Sequence, residues 1–326
     1  MNATKGELDC IATVTDSTIE AKPYNSQFGV TAPPMRKFAQ TGLALLTLFA
    51  SVMANADLAS ATQAMEDPSH PLILMRTSRG DIYIELFSES APRNVANFIA
   101  LSEGKVDMFD VSSAQTVTPN YYDSKIFHRI LRNYLVQSGA SSSVEAPRPE
   151  YFINDEINAR DLGLNDIKVF DPSGAPHAWL NLQDNEDLQA EVLLPLYKKL
   201  DIRSPEQVEA RQNEVHKLLS EMSLQQAYEN QGYQFNTRLP ARMPVRGSLA
   251  MANSGPNTNQ AEFFITLVDS PWLAGKTTII GEVVEGMEIV DRIDQAAVLR
   301  GESLTPTPTT ATMIFDVRQI NASPTP

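Results

Sequence analysis

A mainly β fold, a closed antiparallel barrel carrying a helical insertion, is what three features of this sequence predict. Short runs rich in β-branched and aromatic residues recur from His70 to Gly139 and resume from Gly247 to Ile320. Only two amphipathic helical segments accompany them, and no fixed repeat period points to a solenoid or propeller, which leaves a closed barrel as the natural architecture. At about Asp184 the composition shifts, and apolar residues take up helical spacing as far as Asn230.

In chain order, Met35-Arg36-Lys37, an apolar run Gly42–Met53 and the small residues Ala54-Asn55-Ala56 form the three-part pattern of a secretory signal peptide over 35–56. The apolar part is too short to span a bilayer. Residues 1–34 are then expected to be a non-native upstream extension with Met35 as the true start, the rival being a cytosolic extension with an uncleaved anchor. The single cysteine, Cys10, precedes the signal, so the mature chain would have neither disulfide nor thiol chemistry. The expectation is a soluble, monomeric protein, periplasmic or secreted after cleavage near Ala56, with no membrane attachment afterwards. Residues 57–69 read as a linker.

Pro71–Arg76 and Asp81–Phe87 flank Thr77-Ser78-Arg79-Gly80 and predict a hairpin. A helix follows, with Pro92 in its first turn, an apolar stripe of Val95, Phe98, Ile99 and Leu101, and Gly104 just past its end. Asp107–Asn120 lacks periodicity and reads as a surface loop; Tyr121–Gly139 reads as two further strands. Residues 140–180 are rich in Ser, Pro, Asn and Asp and read as irregular. Within 184–230, Leu188, Val192 and Leu196 mark one helix. The capping box Ser204-Pro205-Glu206-Gln207 opens another that carries Val208, Val215, Leu219 and Met222, and Ser223-Leu224-Gln225-Gln226 starts a third. Strands resume over Gly247–Gly281, Gly286–Ile293 reads as a helix, and Met313–Ile320 as the last strand. The Thr/Pro-rich run at 305–310 and the tail 321–326 read as loop and disorder.

Composition excludes several classes of function. With 26 basic against 40 acidic residues the net charge is −14, which opposes a nucleic-acid partner or docking on an anionic membrane. His70, His128, His177 and His216 show no metal-ligand spacing. There is no nucleophile elbow and no glycine-rich phosphate loop. No cofactor is expected.

Two stretches remain. Met251–Thr266 couples a dense set of turn formers (Asn253, Ser254, Gly255, Pro256, Asn257, Asn259) to an apolar strand, Phe263–Val268. Alone it reads as an ordinary turn before a core strand. In Phe127–Gln137, alternation places Phe127, Arg129 and Leu131 on one strand face and His128 and Ile130 on the other. Alone, Arg129 reads as an arginine whose stem covers apolar surface while its head reaches water.

Together they resemble a known family. Phe127-His128-Arg129-Ile130, Gln137-Ser138-Gly139, Met251–Asn259 with Phe263-Phe264-Ile265, and Trp272-Leu273-x-Gly275-Lys276 stand in the signature order of cyclophilins. The hairpin, the Pro92 helix and Gly281-x-Val283-x-x-Gly286-Met287 match in position as well. The resemblance covers roughly 70–140 and 245–320. It implies a domain over 70–320, an eight-stranded barrel capped by two helices, that isomerises peptidyl-prolyl bonds without a cofactor. It also implies clients that are proline-containing polypeptides and, through Trp272, cyclosporin binding. On the same resemblance Arg129 is the catalytic donor to the proline nitrogen, and Gln137 positions it and binds substrate backbone. Tyr134, Leu135, Phe264 and Leu273 line the proline pocket, Asn253 pairs with substrate main chain, and Phe127, Trp272, Glu262 and Thr277 border the site. Plain core packing is the competing reading for Phe264 and Leu273, and rim packing for Trp272.

Departures from the family pattern bear on the site. Tyr134 stands where phenylalanine is usual, Thr277 where many members carry histidine, and Glu262 where glutamine is common. A carboxylate at 262 is expected either to pair with Arg129 and hold it or to compete with its substrate role. The helical insertion at about 184–230 reads either as inert surface addition, which is thermodynamically cheap, or as a client- or partner-binding module. A non-catalytic chaperone or peptide-binding module on the same barrel is the alternative to an isomerase that assists the folding of exported proteins.

Overall fold

The computed structural model describes residues 57–143, 145–296 and 311–320, with the backbone of 298–299 and 307–308. The signal-like stretch 35–56, residues 1–34 and the tail 321–326 lie outside the described residues. Within 57–69, read as linker, a short helix α1 (Leu58–Ala64) is capped by Asp57, whose side chain accepts from Ser60 N.

Strand β1 (Leu72–Thr77) turns through Ser78-Arg79 into β2 (Gly80–Leu86). Gly80 has φ +133°, a backbone conformation that L side chains rarely adopt, so the turn favours glycine; a Cβ there would also come within 2.6 Å of Ile289 Cδ1. Helix α2 (Pro92–Ser102) starts on a proline and buries Val95, Phe98 and Leu101. The segment Asp107–Asn120 is more ordered than its composition suggests, for β3 (Met108–Asp110) pairs antiparallel with β4 (Gln115–Val117). Met108 reaches the core from this hairpin. Strands β5 (Arg129–Leu131) and β6 (Leu135–Ser138) are shorter than expected, because Tyr121–Ser124 is taken up in turns.

The helical part runs through α3 (Asn185–Leu188), a π-helical turn (Gln189–Leu193), α4 (Leu194–Lys199), α5 (Pro205–Ala210), α6 (Gln212–Glu221) and α7 (Leu224–Gln231). Pro195 accounts for the π turn: it has no N–H for the Glu191 carbonyl, which instead accepts from Gln231 Nε2 at 2.7 Å. The helix expected from Ser204 is broken at Arg211 into α5 and α6. Its capping box is half formed, since the Gln207 side chain accepts from Arg203 N rather than Ser204 N. Ser223 and Gln226, by contrast, form the full reciprocal box.

Strands β7 (Ser248–Met251), β8 (Phe263–Thr266) and β9 (Ile279–Glu285) follow, then α8 (Met287–Asp294), the short pair β10 (Val298–Leu299) and β11 (Thr307–Pro308), and β12 (Ile314–Gln319). Thr307–Pro308 is thus paired strand rather than free loop.

Eight strands join in the order β12-β1-β2-β9-β7-β8-β6-β5, every pair antiparallel. The sheet curls until its edges meet. Phe127 N donates to Thr312 O at 3.0 Å and Ile314 N to Lys125 O at 2.7 Å, and this seam covers edges that would otherwise be open to pairing. Inside lies the main core, with Ile73, Ile84, Phe98, Tyr122, Phe127, Ile130, Phe263 and Ile265 among its members. A second apolar cluster joins the helices to residues ahead of them (Ile157, Leu164, Val169, Leu180) and, from the barrel side, to Ala274.

Candidate functional site

Residues directly opposite on neighbouring strands share a face of the sheet, and the register sorts the residues of β5–β9 into two rows. Ile130, Val136, Ile265, Leu249 and Gly281 are paired in succession across five strands, and the first four fill the interior. One residue along, Arg129 pairs with Gln137, Gln137 with Phe264, Phe264 with Ala250, and Ala250 with Ile279. Period-two alternation puts this second row on the outer face. There Phe87, Leu135, Ala250, Phe264 and Ile279 form a separate buried cluster, against which Leu131, Tyr134, Ala252 and Leu273 pack while partly exposed. All four residues assigned to the proline pocket are therefore brought together, with a guanidinium at one end of the row.

Arg129 is held by a chain of complementary hydrogen bonds. Its Nη1 donates to Gln137 Oε1 at 3.0 Å, and Gln137 Nε2 donates to Glu262 Oε2 at 2.7 Å. His128 Nε2 lies 3.6 Å from the same carboxylate. The nearby His128 imidazole, then the Gln137 hydrogen bond and the Arg129 charge, hold the Glu262 carboxyl below the ordinary carboxylate value, against the opposing effect of its burial. Of the two roles expected for Glu262, pairing with Arg129 or competing with its substrate role, the contact seen is an indirect one, because Gln137 stands between them. His128 Nδ1 and Arg129 Nε are buried without a partner among the described residues. A buried guanidinium N–H without a partner is the kind of feature that structural packing alone avoids.

One other expectation changes, and two further side chains are engaged within the fold. Phe127 does not border the site: it is fully buried and packs edge-on against Phe263 at 6.4 Å. Regular alternation begins only at Arg129, so Phe127 lies inside with Ile130. The Asn253 side chain is engaged within the fold, its Nδ2 donating to Lys276 O at 2.9 Å and its Oδ1 accepting from Gly255 N at 3.3 Å. It ties the turn-rich loop to the Trp272–Thr277 segment. Thr277 Oγ1 bonds back to Leu273 O at 3.2 Å. Trp272 does reach the rim, and its Nε1 donates to the Tyr134 hydroxyl at 2.9 Å. That contact gives the unusual tyrosine a partner.

Sequence reasoning passed over Ala250, Ile279 and Phe87 on the pocket floor, which carry no chemical signal beyond their place in or next to strands. It also passed over Asp155 and Glu156. Asp155 clasps the loop, accepting from Asn257 N at 2.7 Å and Asn259 Nδ2 at 3.0 Å. Burial pushes its carboxyl up, partly countered by these bonds. Glu156 accepts from Arg93 N and Asn94 N at the start of α2. The one signal was a pair of acids inside an otherwise irregular stretch.

The barrel with an arginine beside an apolar outer pocket defines the class of protein. The family model described as "Cyclophilin type peptidyl-prolyl cis-trans isomerase/CLD" matches residues 72–318, and the chain belongs to that family. Similar proteins include peptidyl-prolyl cis-trans isomerase-like 1 of Aspergillus fumigatus, 26% identical over 221 residues, 68% of this chain and 80% of that protein. Probable peptidyl-prolyl cis-trans isomerase A of Mycobacterium bovis is 26% identical over 245 residues, 74% of this chain and 85% of that protein. Peptidyl-prolyl cis-trans isomerase B of Streptomyces anulatus is 25% identical over 221 residues, covering 67% and 81%. A crystal structure of a Cryptosporidium parvum cyclophilin-type isomerase with the dipeptide Ala-Pro aligns with a TM-score of 0.40 at 19% identity, over 77% of this chain and 99% of that one.

Proposed function

We propose that this protein isomerises X-Pro bonds of polypeptide clients, with Arg129 stabilising the twisted amide over the pocket of Tyr134, Leu135, Phe264 and Leu273. The observation that carries the reading is the cross-strand row Arg129–Gln137–Phe264, which sets a fixed donor beside an apolar floor. The barrier to rotation, about 18–20 kcal/mol, is amide resonance, and it falls when the proline nitrogen becomes pyramidal and basic. No nucleophile and no proton transfer is needed. A guanidinium, always charged and rigid, donates to that nitrogen more strongly at the twisted geometry than at the planar one, and a difference of this kind accelerates the reaction. The apolar pocket holds the ring while the acyl side turns.

Export is part of the proposal, and the pattern Met35–Ala56 supports it; the clients are then proteins folding outside the cytosol. Binding of cyclosporin at the Trp272 rim is proposed on the family likeness. A protease-coupled or magnetisation-exchange assay on an Ala-Pro peptide tests the activity. Turnover by the wild type that collapses in a folded Arg129→Ala variant is the expected result. Peptide binding without turnover in the wild type would instead favour a non-catalytic binding module on this barrel.

A further inference from the structure

The six residues Trp272–Thr277 belong to two places at once. Leu273 packs against the pocket cluster and Trp272 bonds to Tyr134, whereas Ala274, 2% exposed, is a member of the helical cluster. Gly275, at φ +86°, lies so close to that cluster that a Cβ would come within 2.5 Å of Leu164 Cδ1 and 3.0 Å of Tyr228 Cδ2. Lys276 then turns its ammonium back toward the helices, 5.0 Å from the centroid of the Tyr228 ring and 3.3 Å from Glu191 Oε2. The turn Pro271–Leu273 also lies against the turn Ala178–Leu180.

The partners of Lys276 are themselves set by the helices. Tyr228 is fully buried on α7, and its hydroxyl donates to Trp179 O at 3.2 Å. Glu191 stands on the π turn that Pro195 imposes, and Gln231 of α7 locks that turn through the Glu191 carbonyl. The Lys276 carbonyl accepts from Asn253, so the clamp reaches the turn-rich loop on the other flank of the site. One lysine thereby links the helical part, the pocket wall and the loop.

We infer that Glu191 and Tyr228 are positioning residues for the prolyl pocket: they hold Lys276, and through it the Trp272–Thr277 wall, at the spacing a proline ring requires. The inference rests on the isomerase reading, and it gives the helical part a role in the reaction itself. Its chemistry is a cation held between a carboxylate and an aromatic face. The wall loop has no regular secondary structure beyond its first turn, so side-chain anchors decide where it stands.

The test uses the full chain with Glu191→Gln and Lys276→Met, singly and combined, and Lys276→Arg as the conservative variant. Trp179 and Trp272 are the two tryptophans of the chain, and Trp179→Phe assigns the Trp272 indole N–H resonance. Glu191→Gln and Lys276→Met should each shift that resonance and raise KM for an Ala-Pro peptide about twofold to fivefold with kcat retained, the scale of a single partly exposed ion pair. The double variant should be no worse than either single one, and Lys276→Arg should restore most of the KM. An unmoved Trp272 resonance with unchanged KM, whatever happens to thermal stability, would overturn the inference. If the wild type itself fails to turn over peptide, the isomerase reading falls, and the resonance still reports whether Glu191 holds the wall.

Discussion

Gln137 meets Glu262 through its amide nitrogen, at 2.7 Å, and Arg129 through its amide oxygen, at 3.0 Å. A carboxylate can only accept and a guanidinium can only donate, so these two neighbours fix which way the amide points. Glu262 thus reaches the arginine at second hand: it orients the group that orients the guanidinium.

Glu262→Gln should therefore lower kcat/KM. A glutamine at 262 both donates and accepts, so only Arg129 still imposes a direction on the Gln137 amide, and the bond to Gln137 Nε2 loses its charge. Replacing a charge-assisted bond by a neutral one is worth about 1 kcal/mol, which corresponds to a loss of roughly fivefold. The pH profile supplies an independent check. The Glu262 carboxyl is held below its ordinary value of 4.5, first by the nearby His128 imidazole. A depressed carboxylate keeps its ionised role above that value and loses it only as pH falls through the lower, folded-state one. The wild type should then show an acid limb below about pH 4.5 that Glu262→Gln flattens. Equal activity and identical acid limbs in the two proteins would dispose of the orienting role.

Arg129→Ala should reduce kcat by about 10²–10³, the scale of removing one transition-state donor. KM should change much less, because the ring is held by Leu135, Phe264 and Leu273. Arg129→Lys should recover little, since an ammonium cannot keep the fork that bonds Gln137 while facing substrate. The assay needs a circular-dichroism control for folding. Near-wild-type turnover in a folded Arg129→Ala protein would falsify the mechanism.

How much of this was legible beforehand follows from what each residue signals. The β-rich frame was readable because strands announce themselves by composition, and the family motifs lie in strands and their loops. Short strands such as Met108–Asp110 were not, for three residues carry no period. Arg129, Gln137 and Phe264 were legible as a set through their motifs, and the register shows why the motif has that spacing: one outward row. Phe127 was misplaced because alternation was extended two residues before the strand starts. The anchoring of Asn253 and the clamp on Lys276 were invisible, since both depend on partners more than twenty residues away.

Tyr134→Phe isolates one such contact. The Trp272 indole N–H now donates to the Tyr134 hydroxyl, so a ligand acceptor at the rim must first displace that bond. A neutral hydrogen bond contributes about 0.5–1.5 kcal/mol net. Removing the hydroxyl should thus tighten binding of cyclosporin or a proline peptide, up to about tenfold by calorimetry. Prolyl turnover should stay within about threefold, as the ring of residue 134 keeps its apolar contact. Weaker binding in Tyr134→Phe would mean that the hydroxyl itself contacts ligand.

Glu156 offers a stability test away from the chemistry. Helix α2 begins at Ala91-Pro92, where the cap residue has no side-chain acceptor and the proline has no N–H. The first free donors, Arg93 N and Asn94 N, are both met by the Glu156 carboxylate, at 3.1 and 2.9 Å, and Asn94 Nδ2 adds a third bond at 2.9 Å. An anion at a helix N-terminus also opposes the helix dipole favourably. Glu156→Ala should therefore cost about 1–2 kcal/mol in urea unfolding, the range for a lost N-cap, with the m-value unchanged. Glu156→Gln should cost about half as much, because it keeps an acceptor but loses the charge. A capping role confined to α2 leaves the Arg129 row intact, so kcat for the folded fraction should match wild type. Equal stability of Glu156→Ala and wild type would show that water caps α2 as well as Glu156 does.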